Sequence, residues 1–403
     1  MKGNRILIPM LLLLISGITC RAQTFRNFTT ADGLPSDNVN GVAIDAGNNK
    51  WFGTQDGVAR YNDTVWTIYT TANGLIDNYI NCIAVDISNN IWIGTDIGLS
   101  KFDGSQWTNY TTANGLVNNT INYIAGAADG SVWIGTGNGA SHFDGSTWNN
   151  YTTADGLPGN LISYIVAEAD GPVWLGTFLG GLSKFNGTAF VNFTTAEGLP
   201  DNNIISIAIG ANNTKWIGTY FGVAVFDSQD EWLATYRTAD GLFNDFIQDI
   251  AMDSKCTMWF ANYDIYTQDA GITKKSITGW KTFGVADGLI NAPLRRIAVD
   301  QSDNVWIATG VGVSRLKDAT AGINDFSALP VSIYPNPASA VFHIDGLKAD
   351  GQMSLLTISG REVLSQPLGK GSNAVNTHNL ESGIYILRCT AGEVVYTGKL
   401  VIR

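Results

Sequence analysis

The stretch WIGTDIGLSKFDG, Trp92 to Gly104, holds the features that decide the fold: a tryptophan ahead of Gly-Thr, a short turn closed by glycine, and a second apolar run. Trp-x-Gly-Thr recurs at Trp51, Trp92, Trp133, Trp174 and Trp216, with decayed copies at Trp259 and Trp306. The successive spacings are 41, 41, 41, 42, 43 and 47 residues. A Gly-Leu pair keeps step at Gly33, Gly74, Gly115, Gly156, Gly198, Gly241 and Gly288. A period of about 40–45 residues that holds several short strands is the pattern of a β-propeller blade. In the second unit INCIAVD, NIWIGT, GLSKF and SQWTNYT read as four strands, a to d, from the axis outward. Strands a and b are apolar at nearly every position, as a sheet covered on both faces requires. The seven strand-b tryptophans are therefore read as core.

The two ends show how the ring closes. Strand d carries aromatic-x-x-aromatic, as in Trp66/Tyr69, Trp107/Tyr110, Trp148/Tyr151, Phe190/Phe193 and Trp280/Phe283. The same pattern, Phe25 and Phe28, precedes the first a strand, while the last unit stops near Lys317 without a d strand. The orphan strand at residues 24–30 is expected to complete the last blade and so remove both open sheet edges. The count is seven blades.

These residues carry a family resemblance. The run from Trp92 to Gly104 resembles the two-component regulator propeller repeat, known mainly from extracellular sensor regions of hybrid histidine kinases. The resemblance covers residues 24–317 and implies the fold far more than any ligand. No kinase, receiver or membrane helix follows the propeller in this sequence, so signalling by the chain itself is not expected.

The residues before and after the ring read differently. Residues 1–22 have a basic start at Lys2 and Arg5, an apolar run from Ile6 to Ile15, and a Cys20-Arg21-Ala22 cleavage-like end. That is a signal peptide rather than a membrane span, and no later stretch could serve as a transmembrane anchor. The propeller is assigned to 23–318 and a linker to 319–329. Residues 330–403 alternate apolar residues with Gly and Asn, as a small β-sandwich does. Within them Tyr334-Pro335-Asn336-Pro337, the run from Ile358 to Val363, Gly383-Ile384-Tyr385 and the terminal Lys399 to Arg403 resemble the type IX secretion C-terminal sorting domain. The resemblance implies the type IX machinery as a partner and export through the periplasm to the medium or the outer surface.

Composition narrows the function. A formal net charge of −11 offers no phosphate-neutralising surface, so nucleic acid is not a partner, and strongly anionic polysaccharides are disfavoured. Cys82, Cys256 and Cys389 are too scattered for a disulfide framework and read as small buried hydrophobes. The propeller has one histidine, His142, read as packed; histidine metal clusters and a Ser-His-Asp triad lack material, and no motif calls for a cofactor. Asp56 and Asp96 on neighbouring b–c turns could in principle form a hydrolase pair, but turn chemistry explains both. The a–b hairpins, such as DISNN at Asp86 and DQSDN at Asp300, lack the full calcium-loop spacing and read as Asx turns.

Two constellations remain. Ten residues before each strand-b Trp stand Gly41, Cys82, Tyr123, Tyr164, Ser206, Asp249 and Arg296, a variable ring at the central channel in which Asp249 and Arg296 could pair. At the b–c turns a glycine six residues after the Trp (Gly57, Gly98, Gly139, Gly180, Gly222 and Gly312) meets the backbone demand, which frees the tip positions. Phe178, Tyr220 and Tyr263 place an aromatic at the first tip position of three consecutive blades, with Phe221 beside them and Tyr79 and Phe246 on the same rim. Such a patch either follows an extended ligand or folds inward as a channel cap. The reading is a secreted, non-catalytic propeller that binds an extracellular polysaccharide or peptide. The alternatives are a glycan hydrolase or lyase using carboxylate, Tyr and Arg groups, and a surface scaffold or stand-alone sensor-like propeller.

Overall fold

The structure, a computed structural model, describes residues 24–317 and 332–403 apart from residues 170, 264–266, 278, 291, 348–349, 358–361, 379 and 392–393. The expected signal peptide and linker lie outside the described residues, as does most of the run from Ile358 to Val363. The chain divides into two compact units, one within Ala22–Ala319 and one within Thr320–Arg403.

The first unit is the seven-bladed propeller, each blade a four-stranded antiparallel sheet in the order a-b-c-d. In blade one the strands are Val39–Ile44, Lys50–Thr54, Gly57–Tyr61 and Trp66–Tyr69. Blade seven takes a, b and c from Leu294–Val299, Asn304–Thr309 and Gly312–Lys317, and its fourth strand is Thr24–Phe28. Thr24 pairs with Lys317 and Phe28 with Val313, so the orphan strand closes the ring as its aromatic pattern implied.

Strand b packs against the neighbouring blade on bare backbone. A Cβ on Gly94 would lie 2.5 Å from Ile121 of the next blade, so only glycine allows the sheets to approach this closely. The tryptophan two residues earlier is held by three groups. Its indole N–H donates to the carboxylate that opens the a–b hairpin six residues upstream: Trp51 to Asp45 at 2.9 Å, Trp92 to Asp86 at 2.7 Å, Trp174 to Glu168 at 2.5 Å, Trp259 to Asp253 at 3.0 Å and Trp306 to Asp300 at 2.8 Å. Trp216 uses Thr214 Oγ1 at 3.2 Å instead. A strand-c cation lies over the ring in five blades: Arg60, Lys101, Lys184, Lys274 and Arg315, at 5.1–5.7 Å from their tryptophans. A strand-d aromatic stacks below, as Tyr69 does on Trp51 at 5.5 Å. The hairpin carboxylates do form Asx turns (Asp86 Oδ1 accepts from the Ser88 and Asn90 amides), but each also serves the indole. In two blades a fully buried lysine joins in from the next strand b. Lys50 sits 2.7 Å from Asp63 and 3.6 Å from Asp300 across the seam, and Lys215 sits 2.7 Å from Asp230 and 3.6 Å from Glu168.

The C-terminal unit is a two-sheet β-sandwich. Ser332–Tyr334, Val341–Leu347 and Gly371–Asn376 form one sheet; Glu362–Leu368, Gly351–Thr357, Gly383–Ala391 and Val394–Ile402 form the other. Phe342, Ile344, Met353, Leu355, Leu387 and Leu400 fill the space between them. The YPNP segment is tied to the C-terminal strand through Asn336 Oδ1, which accepts the Val401 amide at 2.9 Å.

Three expectations need correction. Cys82 and Cys389 are buried, but Cys256 is exposed at a left-handed turn position (φ 59) of the blade-six a–b hairpin. In blade four the left-handed turn glycine is Gly181 (φ 94), not Gly180: Leu179 takes φ 68, and a Cβ on Gly180 would lie 2.6 Å from Pro158 O. Tyr263 is not a turn tip. It lies in strand b, Met258–Tyr263, opposite Ala270, and packs on the core between blades six and seven.

Candidate functional site

Strand a carries the side chains that reach the axis, and its register decides which ones. In six blades strand a is bulged, between Val39 and Gly41, Ile121 and Tyr123, Ile162 and Tyr164, Ile204 and Ser206, Ile247 and Asp249, and Leu294 and Arg296. Two residues then face one partner, and the extra side chain is re-aimed. The residue after the bulge turns to the channel. A cavity of about 50 Å³ lies there, lined by Gly41, Cys82, Tyr123, Tyr164, Asp249 and Arg296 among others, so the structure brings most of the predicted ring together.

Asp249 and Arg296 form no direct ion pair. Asp249 is 2% exposed, and its oxygens are taken by the Tyr164 hydroxyl at 2.8 Å and the Ile297 amide at 2.9 Å. The Arg296 guanidinium instead lies over the rings of Tyr123 and Tyr164, at 5.3 and 5.5 Å, which stack on each other at 3.9 Å. Burial pushes the Asp249 carboxyl above its usual range even though Arg296 pulls the other way. Burial opposes the Arg296 charge, yet Asp249 and the two tyrosines hold its pKa above the ordinary value. Burial also raises both tyrosines and pushes the Cys82 thiol to about 12. The channel is thus a packed polar plug around one guanidinium.

The bulged residues themselves form a second ring that sequence reasoning missed. Asn40, Asn122, Ser163, Gln248 and Arg295, with Asn81 and Tyr79, line a mouth of about 380 Å³ above the plug. Each early member clasps the next blade: Asn40 Nδ2 donates to Ile80 O at 2.7 Å, Asn81 to Ile121 O at 3.2 Å, Asn122 to Ile162 O at 2.9 Å, and Ser163 Oγ to Ile204 O at 2.5 Å. The available signal was the recurrence of Asn one residue before the ring position. Arg295 and Arg296 interrupt this amide ring with two guanidiniums. Among the described residues neither lies within 4.0 Å of a carboxylate, and the hydrogen bond from Arg296 Nη1 to Arg295 O is the one contact of this kind they make.

The b–c turns rise on the same face. Tyr220 stands between Phe178 and Phe246, 6.5 Å edge-on from the first and 4.7 Å stacked on the second. Phe178 is 39% exposed, Leu179 68% and Phe221 59%, while Tyr220 and Phe246 are half-buried. The rings are neither a flat platform nor an inward cap: the inner pair packs and the outer pair stays wet. Phe246 precedes Gln248 of the mouth by two residues, so the aromatic crescent over blades four to six runs into the polar mouth. Across the mouth Tyr79, 41% exposed, is bonded to Gln55 Nε2 at 3.3 Å. Asp56 and Asp96 are exposed tips; Asp96 Oδ1 accepts from Asn81 Nδ2 at 2.8 Å. Among the described residues no group of three or more His, Cys, Asp and Glu side chains is placed to hold a metal ion, and no helix is long and apolar enough to cross a membrane.

Comparison with known proteins agrees with this architecture. Residues 332–403 match the secretion system C-terminal sorting domain, and residues 74–96 and 115–138 match the two component regulator propeller. No curated protein matches the chain. Among solved structures, the extracellular domain assigned to a hybrid two component system of B. thetaiotaomicron is 19% identical over 94% of this chain and 57% of that one, with a TM-score of 0.65. PorZ of Porphyromonas gingivalis, titled an essential bacterial surface component of the type-IX secretion system, is 16% identical over 91% of this chain and 60% of its own, with a TM-score of 0.59. A streptogramin B lyase is 14% identical over 73% of this chain and 97% of its own, with a TM-score of 0.61. The chain spans a little over half the length of the first of these, and identities this low establish the fold alone. The chain is a secreted or cell-surface seven-bladed propeller with matches to the two component regulator propeller at residues 74–96 and 115–138, and it ends in a unit that matches the secretion system C-terminal sorting domain.

Proposed function

We propose that the b–c turn face binds an extracellular glycan, with the crescent of Phe178, Tyr220, Phe221 and Phe246 as the stacking wall and the mouth as the polar anchor. The observation that carries this reading is the pair of guanidiniums without carboxylate partners at the end of an exposed aromatic run. Arg295 and Arg296 hold unused N–H donors in a partly desolvated mouth, where hydrogen bonds count for more than in bulk water. Asn81 and Gln248 add amide groups of the kind that pair with hydroxyls. The overall charge of −11 still repels a densely anionic polymer, and the two guanidiniums disfavour a cationic one, so the ligand is neutral or carries isolated acidic groups. Tyr123, Tyr164 and Asp249 support the site from below, by fixing Arg296. Tyr263, held inside strand b of blade six against the core between blades six and seven, is left out of the wall, whereas Tyr79 borders the mouth.

Binding without turnover fits the carboxylates, since both oxygens of Asp249 are already committed to Tyr164 and Ile297. The lyase likeness brings the fold and not the reaction. One observation favours a peptide or a protein partner instead: Leu161 and Leu179, 43% and 68% exposed, flank Phe178 with aliphatic surface. The C-terminal unit supplies the route to the surface, through the type IX machinery.

The experiment is retention of the full chain on a panel of immobilised neutral and uronic-acid glycans, with reducing ends measured in parallel. Arg295→Gln and the Phe178→Ala/Phe221→Ala pair should each weaken retention about tenfold or more, which is 1.4 kcal/mol. Retention that ignores both changes, or new reducing ends, would refute the proposal.

A further inference from the structure

On the opposite face, the a–b hairpins of blades three and four border a cleft of about 580 Å³, lined by Ala127, Asp129, Trp133, His142, Asn149 and Tyr151 among others. The groups that occupy this place in other blades are missing here together. The residue six before the Trp, an acidic side chain in five blades, is Ala127. The strand-c cation is replaced by His142, whose ring lies 4.6 Å from that of Trp133. The lysine that two other blades send back across the seam, Lys50 or Lys215, is Val173. Trp133 is 3% exposed, and among the described residues it is the one strand-b tryptophan whose indole N–H has no acceptor. That N–H is not sealed in the core: it opens on the cleft, where water or a ligand can accept from it.

We infer that this cleft is a second binding site and that it takes a neutral, hydroxyl-rich ligand, a sugar unit. The indole can only donate, so the ligand atom that meets it must accept. Asp129 uses Oδ1 for the Ser131 amide and hydroxyl, at 2.9 and 2.7 Å, which leaves Oδ2 free to accept. A hydroxyl group does both, and neighbouring hydroxyls on one ring can take the indole N–H and donate to Asp129 at once. Charge argues against the other ligand classes. Asp129 lines the cleft and Asp144 acts on His142 beside it, and both oppose a ligand carboxylate; an ammonium has no lone pair to accept from the indole. The volume lies within the usual span of small-molecule sites, about 300–1,000 Å³. The site shares no residue with the crescent or the mouth, so it stands or falls apart from the function proposed there.

The test follows the indole N–H signals of the full chain by NMR, with Trp133→Phe identifying the Trp133 signal. Glucose, galactose and N-acetylglucosamine are titrated separately, with acetate and ethylammonium as charged probes. At least one sugar should shift the Trp133 signal saturably, more strongly than either charged probe. Ala127→Asp, which restores the acidic residue of the sibling blades, should weaken that response at least about tenfold. His142→Lys, which restores their cation, should do the same, and Phe178→Ala/Phe221→Ala should leave it intact. The remaining indole signals report that each variant is folded. The site is ruled out if no sugar moves Trp133, if a charged probe moves it as strongly, or if both cleft variants respond like the parent.

Discussion

Phe28→Ala measures what the closing strand contributes. Phe28 is 1% exposed, and its ring lies 5.5 Å from Trp306 of its own blade, 5.7 Å from Tyr61 and 6.0 Å from Trp66 of blade one. It therefore belongs to the core of two blades that the chain joins only through this strand and the seam contacts. The surrounding rings are anchored in two different sheets and cannot collapse onto a methyl group, so the cavity persists. A buried Phe→Ala change of this kind costs about 3–5 kcal/mol. In a domain of this size each kcal/mol moves the melting temperature by roughly 2 °C, so the drop is about 6–10 °C. Calorimetry on the full chain reads it, with Phe25→Ala as control; Phe25 is only partly buried and should cost clearly less. Size-exclusion chromatography reports whether an opened ring associates. A Phe28→Ala protein that melts within about 2 °C of the parent, or no lower than Phe25→Ala, would show that the strand is not holding the ring.

Two other perturbations probe the rings and the seam. Phe178→Ala and Phe221→Ala should each cost under about 1 kcal/mol by denaturant titration, because exposed sites do, whereas Tyr220→Ala loses two ring contacts and should cost about 1–2 kcal/mol. Equal costs at Phe221 and Tyr220 would contradict the division into a wet outer pair and a packed inner pair. Lys215→Ala strands the buried Glu168 and should destabilise by about 3–5 kcal/mol, against at most about 1 kcal/mol for Lys101→Ala on the sheet's outer side. A loss at Lys215 no larger than that at Lys101 would mean the buried pair gives no net support.

The blade count and the clasp were legible because they rest on spacing: the Trp period and the leftover Phe25/Phe28 pattern admit few other arrangements. The channel ring was legible for the same reason, since a fixed offset from Trp carries Tyr164, Asp249 and Arg296 to the axis whatever their identities. The mouth was not. A bulge adds one residue without changing the apolar pattern on either side, so only the recurrent Asn before the ring position hinted at the mouth, and Gln248 and Arg295 broke that recurrence. Tyr263 failed for a related reason: strand b of blade six continues at least one residue further past its tryptophan than its siblings do, and an offset counted from Trp259 lands inside the sheet. In blade four two adjacent glycines both satisfied the turn rule: the left-handed φ falls on Gly181, while Gly180 is needed for the close approach to Pro158. The missing indole acceptor of Trp133 was visible as Ala127 in an otherwise acidic position, but only once the use of that acid was known.

The b–c turns latch themselves from beneath. In five blades the strand-b threonine hydroxyl (Thr54, Thr95, Thr136, Thr219 and Thr309) donates to the carbonyl of the glycine three residues on, at 2.7–2.9 Å. The two residues between take no part in that bond through their side chains. Five turns with two such residues each make ten positions; without Tyr220, whose ring packs on Phe246, nine around one rim can be randomised together while the scaffold keeps its closure, its tryptophan locks and its export signal. A surface library built there would start from a molecule whose recognition loops are already uncoupled from its folding. Selection on such a library could exchange one ligand for another without first having to rescue stability.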